Sequence, residues 1–277
     1  MSPSLLNEAH RGQPEDITDA NNASPLLRLP GDLRNRIYTH ALQADDGLEF
    51  HEGADGHTPR FLARGLSNRD SQGDFNQLKW ACRQLYQETS GLEIQVNRVH
   101  FVSRGQCVGP RKILVDFMRN CAVSKRGWFR AVTLSTADLD TMCHLDESLE
   151  PKNVMIALAE FCRQHPYADV RFVVPSMENS EWGGDATLQG LFLSLVVRGE
   201  DLRSVATIGT NPTLEEIEGT KWYKDTERAA KLRVTNLRFW LVQSSNLEYF
   251  KWEVDGAAWL DSEACLEIAT KWIDNEI

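Results

Sequence analysis

The stretch "PRKILVDFMRNCAVSKRGWFRAVTLS", residues 110–135, decides the fold, because it changes from one periodicity to another. Its first half carries Ile113, Leu114, Phe117 and Met118 at helical spacing, which predicts a helix. Its second half, "GWFRAVTLS", is typical of a strand. A helix that leads directly into a strand is the building unit of α/β proteins.

The same alternation continues after residue 150. Helices are predicted over residues 153–166 and 186–202, and strands over residues 168–175 ("ADVRFVVP") and 204–209 ("SVATIG"). This order favours right-handed crossovers between parallel strands. The strands begin at intervals of roughly 35 to 40 residues, which is similar to the period of leucine-rich solenoids. No asparagine or leucine ladder recurs, which argues against a solenoid and leaves it as the less favoured alternative.

The regions on either side extend this pattern. A hairpin is predicted for "LEFHEG" and "RFLARG", a helix for residues 74–95 with a break at Gly91, and a strand for residues 97–103. Towards the C-terminus we expect a helix or helix pair over residues 214–243 and a strand over 247–256. A last helix follows, with Asp261 or Ser262 as its cap.

Composition and charge argue against several classes of partner. The formal net charge is -10, from 40 acidic and 30 basic residues, which repels nucleic acid unless a basic patch is segregated, and the sequence shows no such patch. No segment reaches the roughly 18 apolar residues that span a bilayer, and the N-terminus does not resemble a secretory signal. We therefore expect an intracellular protein, cytoplasmic or nuclear, that binds neither nucleic acid nor membrane.

The sequence offers little support for catalysis. The six cysteines form no C-x-x-C pair and are best explained as small buried apolar residues. Cys162 and His165 could act as nucleophile and base, but His165 stands at a predicted helix end, where histidine commonly complements the helix dipole. We therefore predict no catalytic residue, no metal ligand and no cofactor.

The stretch "SPLLRLPGDLRNRIYTHALQ", residues 24–43, follows a polar and unpatterned start. Leu29, Leu33, Ile37 and Ala41 recur every four residues and predict one apolar stripe on a helix that begins near Pro30. Such a stripe serves equally well to pack on the protein's own core or to bind another protein.

Two segments together resemble the fungal F-box-like proteins. These segments are "LLRLPGDLRNRIYTHAL", residues 26–42, and "LKWACRQLYQETSGLEIQVNRVHF", residues 78–101. The resemblance implies a helix that binds the Skp adaptor of a cullin-RING ubiquitin ligase, and a C-terminal domain that selects an unknown protein target. It assigns partner contacts to Leu29, Pro30, Leu33 and Ile37 in the first segment, and to Cys82, Arg83 and Leu85 in the second.

The sequence thus predicts an α/β protein with three parts. Residues 1–23 form a disordered tail, and residues 24–105 form a small helical F-box-like region with a long internal loop. Residues 106–277 form a larger α/β interaction domain, with a mostly parallel sheet and flanking helices, on which the helical region packs. The expected function is protein interaction, with adaptor binding as its specific form. A self-contained interaction or regulatory protein without a ligase role, and an enzyme with an unrecognised site, are the alternatives.

Overall fold

The computed structural model describes residues 24–52, 59–65, 73–103, 109–136, 153–174, 195, 198–199, 230–241, 245–256 and 261–275. The chain divides into two units, Met1–Ala41 and Leu42–Ile277. In the first unit, helix α1 covers Gly31–Ala41. All the elements that follow belong to the second unit.

The second unit contains a six-stranded mixed sheet in the order β2-β1-β3-β4-β5-β6. Strands β1 and β2 form an antiparallel hairpin, and every other neighbouring pair is parallel. The predicted α/β class with a mostly parallel sheet is therefore confirmed. The strands are β1 Leu48–His51, β2 Arg60–Ala63, β3 Arg98–Ser103, β4 Ala131–Thr136, β5 Asp169–Val174 and β6 Leu237–Leu241.

Short and long helices alternate with these strands. The predicted helix over residues 74–95 is divided into a 3-10 turn and two short helices. The helices of the second unit are the 3-10 turn Leu78–Trp80, α2 Arg83–Thr89, α3 Leu92–Val96, α4 Pro110–Asn120, α5 Val123–Arg126, α6 Asn153–Gln164, α7 Ser245–Gly256 and α8 Ser262–Asn275.

Two residues divide the 74–95 segment. Cys82 has an extended backbone and its sulfur accepts the Leu85 N–H at 3.5 Å, so it caps α2. Gly91 has φ +89°, and a Cβ at this position would lie 2.5 Å from the Trp128 ring. A side chain is therefore excluded here both by the backbone conformation and by the close ring, and the predicted break at Gly91 is confirmed.

The order of the strands places the crossover helices on one face of the sheet. Strands β3, β4 and β5 follow one another across the sheet in chain order, so right-handed crossovers put α4 and α6 on the same side. The Phe117 ring of α4 lies 5.0 Å from Phe50 and 5.8 Å from Phe101. We call this side the apolar face; it consists of Leu48, Phe50, Val99, Phe101, Val132, Leu134, Val170, Phe172 and Leu237.

The opposite side of the same strands is polar. Because successive strand residues point to opposite faces, the residues between the apolar ones share this second side. Its residues pair directly across the strands, from Glu49 to His100, Thr133, Arg171 and Arg238. We call this side the polar face; it also includes Arg98, Ser135 and Asp169.

Two predictions for the C-terminal region are wrong. Residues 247–256 form helix α7 rather than a strand, because Phe250 and Val254, one helical turn apart, are the completely buried pair. Strand β6 occupies Leu237–Leu241, which we predicted as the end of a helix, and it pairs with β5. The predicted strand over 204–209 and the tail over 1–23 lie outside the described residues.

Other expectations can be compared directly with the structure. The predicted cap of the last helix is confirmed, since Asp261 Oδ1 accepts the Ala264 N–H at 3.0 Å. The expected domain boundary at residues 105 and 106 falls between strands β3 and β4. These two strands are neighbours in one sheet.

A matched pair of leucine substitutions tests this core. Leu134→Ala removes a completely buried side chain of the apolar face, and we expect it to lower the free energy of unfolding by about 3 kcal/mol. Leu33→Ala, on α1, removes a side chain that is 45% exposed, so the expected loss is below about 1 kcal/mol. Urea unfolding of the full chain measures both losses, and equal losses would contradict the assignment of the apolar face.

Candidate functional site

The apolar stripe of α1 is exposed in the free chain. Leu33 is 45% exposed and Ile37, one turn later, is 42% exposed. Leu29 is half-buried and Pro30 is exposed. The buried residue of α1 is Tyr38, which is not part of the stripe. A helix with its large apolar side chains directed to solvent meets the first requirement for binding another protein.

The segment that leads into α1 is fixed to this helix by one side chain. Arg34 Nη1 donates to the carbonyl of Leu29 at 2.5 Å and to that of Leu27 at 3.3 Å. The backbone N–H groups of Leu33 and Arg34 both donate to the carbonyl of Pro30. These bonds set the position of Leu29 and Pro30 relative to the stripe within the first unit.

The second group of predicted partner residues lies in the second unit. Arg83 is exposed, Cys82 is half-buried with a free thiol, and Leu85 is buried. A partner can therefore reach Arg83 and part of Cys82 directly, whereas contact with Leu85 requires a local rearrangement of α2.

A buried carboxylate, which the sequence did not indicate, holds the helices around α2 together. Glu93 is 4% exposed. Its Oε2 accepts Asn76 Nδ2 at 2.8 Å and the Gly91 N–H at 3.0 Å, and its Oε1 lies 3.9 Å from Lys79 Nζ. Asn76 Nδ2 also donates to the carbonyl of Thr89 at 2.8 Å. The buried charge is thus both hydrogen-bonded and paired, as stable burial of an ion requires.

A second buried amide fastens the segment that follows α1 to the sheet. Asn97 Nδ2 donates to the carbonyl of Leu42 at 2.5 Å and to that of Glu93 at 2.9 Å, and its Oδ1 accepts the Ala44 N–H at 2.7 Å. Residues 42–44 are therefore held at the start of β3.

Next to the hydrogen bonds of Asn97, a cavity of about 400 Å³ lies over the polar face. Its floor is formed by side chains of the central strands and one of its walls by the loop before β1. Arg64, after β2, lies at its edge and is exposed. The lining residues are Gln43, Ala44, Asp45, Asp46, Gly47, Arg64, Val96, Asn97, Arg98, His100, Thr133, Ser135 and Val173.

His100, at the cavity floor, is held as a neutral imidazole. Burial, followed by the positive charges of Arg64 and Arg98, lowers the pKa of His100 from 6.5 to about 4. The ring makes a hydrogen bond to the backbone of Asp46 that raises the pKa, so the ring is the donor. Nε2 has no hydrogen-bond partner among the described residues, so the donor is Nδ1 and Nε2 is left as an acceptor.

Thr133 Oγ1 is a second buried polar atom for which the described residues provide no hydrogen-bond partner. Thr133 is paired with His100 across β3 and β4, and each residue is 5% exposed. Two such atoms on neighbouring strands of one cavity are unusual, because buried polar groups in proteins are nearly always hydrogen-bonded.

The polar face also gathers arginines that are far apart in the sequence. Asp169 Oδ2 lies 2.7 Å from Arg171 Nε and 4.0 Å from Arg98 Nη2, and its Oδ1 lies 3.7 Å from Arg238 Nε. Three strands supply these arginines, so no run of basic residues marks them in the sequence.

Cys162 has the properties of a buried thiol rather than of a nucleophile. Its side chain is completely buried, and burial raises the pKa of Cys162 to about 12, whereas reactive cysteines need a lowered pKa. The ring of His165 stacks near Phe161, with centroids 4.9 Å apart.

Two kinds of site are absent from the part of the chain that the structure describes. No three His, Cys, Asp or Glu side chains there are grouped as metal ligands. No described helix combines the length and apolar character needed to cross a membrane.

Comparison with known proteins adds no relative. No family model matches the sequence, and no curated protein or solved structure is significantly similar to it. The resemblance to F-box-like proteins stays a prediction.

The state of His100 has a consequence for stability. Because its pKa is about 4 in the folded chain and 6.5 when unperturbed, the unfolded chain binds the proton first as the pH falls. The stability contributed by neutral His100 is complete above pH 6.5 and is lost progressively towards pH 4.

We therefore expect His100→Gln to lose less stability than the wild type between pH 7 and pH 5 in urea unfolding. His40→Gln replaces an exposed histidine and should retain the wild-type loss. If the His100 variant and the wild type lose stability equally, His100 is not buried as a neutral ring.

Proposed function

We propose that this chain is an intracellular protein-interaction protein whose helix α1 binds the Skp adaptor of a cullin-RING ubiquitin ligase. The observation that supports this proposal is the exposure of Leu33 and Ile37, which leaves the stripe of α1 available in the free chain. In this role the second unit selects the protein target.

The energetics of α1 fit recognition by a groove. Completely burying a large aliphatic side chain is worth about 1.5 to 3 kcal/mol. Leu33 and Ile37 are each still slightly less than half exposed. A partner groove that covered both side chains would therefore gain about 1 kcal/mol from each. Residues one turn apart on an amphipathic helix are the usual anchors of a helix bound in a groove.

The leading alternative is a self-contained interaction protein that does not bind the adaptor. That reading requires the stripe of α1 to be buried within the protein itself. The exposure of Leu33 and Ile37 favours adaptor binding over this alternative.

Co-expression of the full chain with a fungal Skp adaptor, followed by size-exclusion chromatography, tests the proposal. We expect the wild type to elute with the adaptor and the double variant Leu33→Asp with Ile37→Asp to elute alone, because two carboxylates cannot enter an apolar groove without a large desolvation penalty.

The matched control is Asn35→Asp with Thr39→Asp, which adds two negative charges one turn apart on another side of the same helix. This variant should still elute with the adaptor. Failure of the wild type to bind, or equal binding by both double variants while circular dichroism shows folded protein, would contradict the proposal.

A further inference from the structure

The cavity over the polar face has the composition of a ligand site. Its volume of about 400 Å³ lies in the range of small-molecule pockets. The described residues that line it all belong to the second unit, to three adjacent strands and the segments around them. Its apolar side chains among the described residues are those of Ala44, Val96 and Val173, and the other lining residues except Gly47 carry polar side chains.

The strongest indication of a ligand is the pair of buried polar atoms on the cavity floor. His100 Nε2 and Thr133 Oγ1 have no hydrogen-bond partner among the described residues, although each of the two residues is only 5% exposed. Leaving a buried donor or acceptor unsatisfied costs about 1 to 3 kcal/mol. Glu93 and Asn97, which are also buried, have hydrogen-bond partners for their polar side-chain atoms.

The chemistry of the lining restricts what can bind. His100 Nε2 accepts a hydrogen bond, and the hydroxyls of Thr133 and Ser135 can donate or accept one. Asp45 and Asp46 add further acceptors, which suit hydroxyl groups. An apolar ligand would leave these groups unsatisfied.

Two cations at the cavity can hold an anionic group of a ligand. Arg64 and Arg98 both line it, beside the carboxylates of Asp45 and Asp46. At His100 the positive charges of the two arginines outweigh the negative charge of Asp46. Arginine pairs well with a carboxylate, because its planar guanidinium presents parallel donors.

We propose that the cavity binds a small polyhydroxylated carboxylate, with hydroxyl groups on His100 and Thr133 and the carboxylate on Arg64 and Arg98.

The wall around this ligand is already positioned in the free chain. Asn97 holds residues 42–44 through two hydrogen bonds. A third, to the carbonyl of Glu93, fixes the Asn97 side chain itself. Gly47 has φ +78°, and a Cβ there would lie 2.5 Å from the Arg98 carbonyl oxygen and 3.2 Å from His100 Nε2. Glycine thus allows the loop to lie against the start of β3 without covering the imidazole. The site does not depend on adaptor binding by α1.

Isothermal titration calorimetry with the full chain tests this proposal. The probes are gluconate, which carries hydroxyls and a carboxylate, sorbitol, which lacks the carboxylate, and hexanoate, which lacks the hydroxyls. We expect saturable binding of gluconate at millimolar concentration or below, and binding at least about tenfold weaker for the other two.

Two variants locate the binding. Thr133→Val removes a hydroxyl at nearly constant shape and Arg64→Gln removes a charge at the exposed edge, and each should weaken gluconate binding about tenfold. Thr39→Val and Arg119→Gln make the same substitutions outside the cavity and should bind gluconate as the wild type does.

Three results would overturn the proposal. These are the absence of saturable gluconate binding, equal binding of sorbitol or hexanoate, and gluconate binding that neither cavity variant weakens. Arg64 is exposed, so Arg64→Gln keeps the test decisive even if the substitution at Thr133 disturbs folding.

Discussion

Parallel strands that advance across a sheet in one direction, with crossovers of one hand, have their crossover helices on the same side of the sheet. In this protein β3, β4 and β5 advance across the sheet in chain order, so α4 and α6 lie together on one side. That side contains a continuous series of rings, with Phe117 contacting Phe50, Phe61, Phe101 and Phe129 at centroid distances of 5.0, 5.6, 5.8 and 5.8 Å. The packing of one face leaves the other face for polar residues, and the cavity lies there.

Four buried polar residues of the second unit form two pairs with different consequences. Glu93 and Asn97 are surrounded by donors and acceptors from their own segment and connect the short helices to the sheet. His100 and Thr133 are buried to a similar degree, yet each retains a polar atom for which the described residues offer no partner. The first pair stabilises the fold, and the second pair is available to a ligand. This difference, rather than the size of the cavity, distinguishes a binding site from a packing gap.

Much of the fold follows from local patterns in the sequence. The spacing of Ile113 and Phe117 gave α4, the alternation in "NRVHFVS" gave β3, and the two glycine-flanked segments gave the hairpin. The last third of the chain was harder to predict, because the aromatic-rich segments around residues 240 and 250 fit both the helical and the strand period. The strand is recognised there by the pairing of β6 with β5. The helix is recognised by the burial of Phe250 and Val254 on one side.

The candidate site was less predictable for a physical reason. His100, Thr133 and Arg171 are brought together by strand register, which depends on which strands are neighbours and not on any local motif. The stripe of α1 is local, so the sequence indicated it, but the same spacing fits a core helix and a docking helix. The exposure of Leu33 and Ile37 depends on what surrounds the helix, and the sequence does not contain that information in any short stretch.

The polar face presents His100 as a neutral imidazole, and the described residues provide no hydrogen-bond partner for its Nε2 atom. Long-range proton–nitrogen NMR spectra of the histidine rings in the full chain at pH 7, with His100→Gln used for assignment, test it most directly. The account predicts a His100 ring that carries its proton on Nδ1 and has an unprotonated Nε2. A ring protonated on Nε2, or on both nitrogens, would contradict the account.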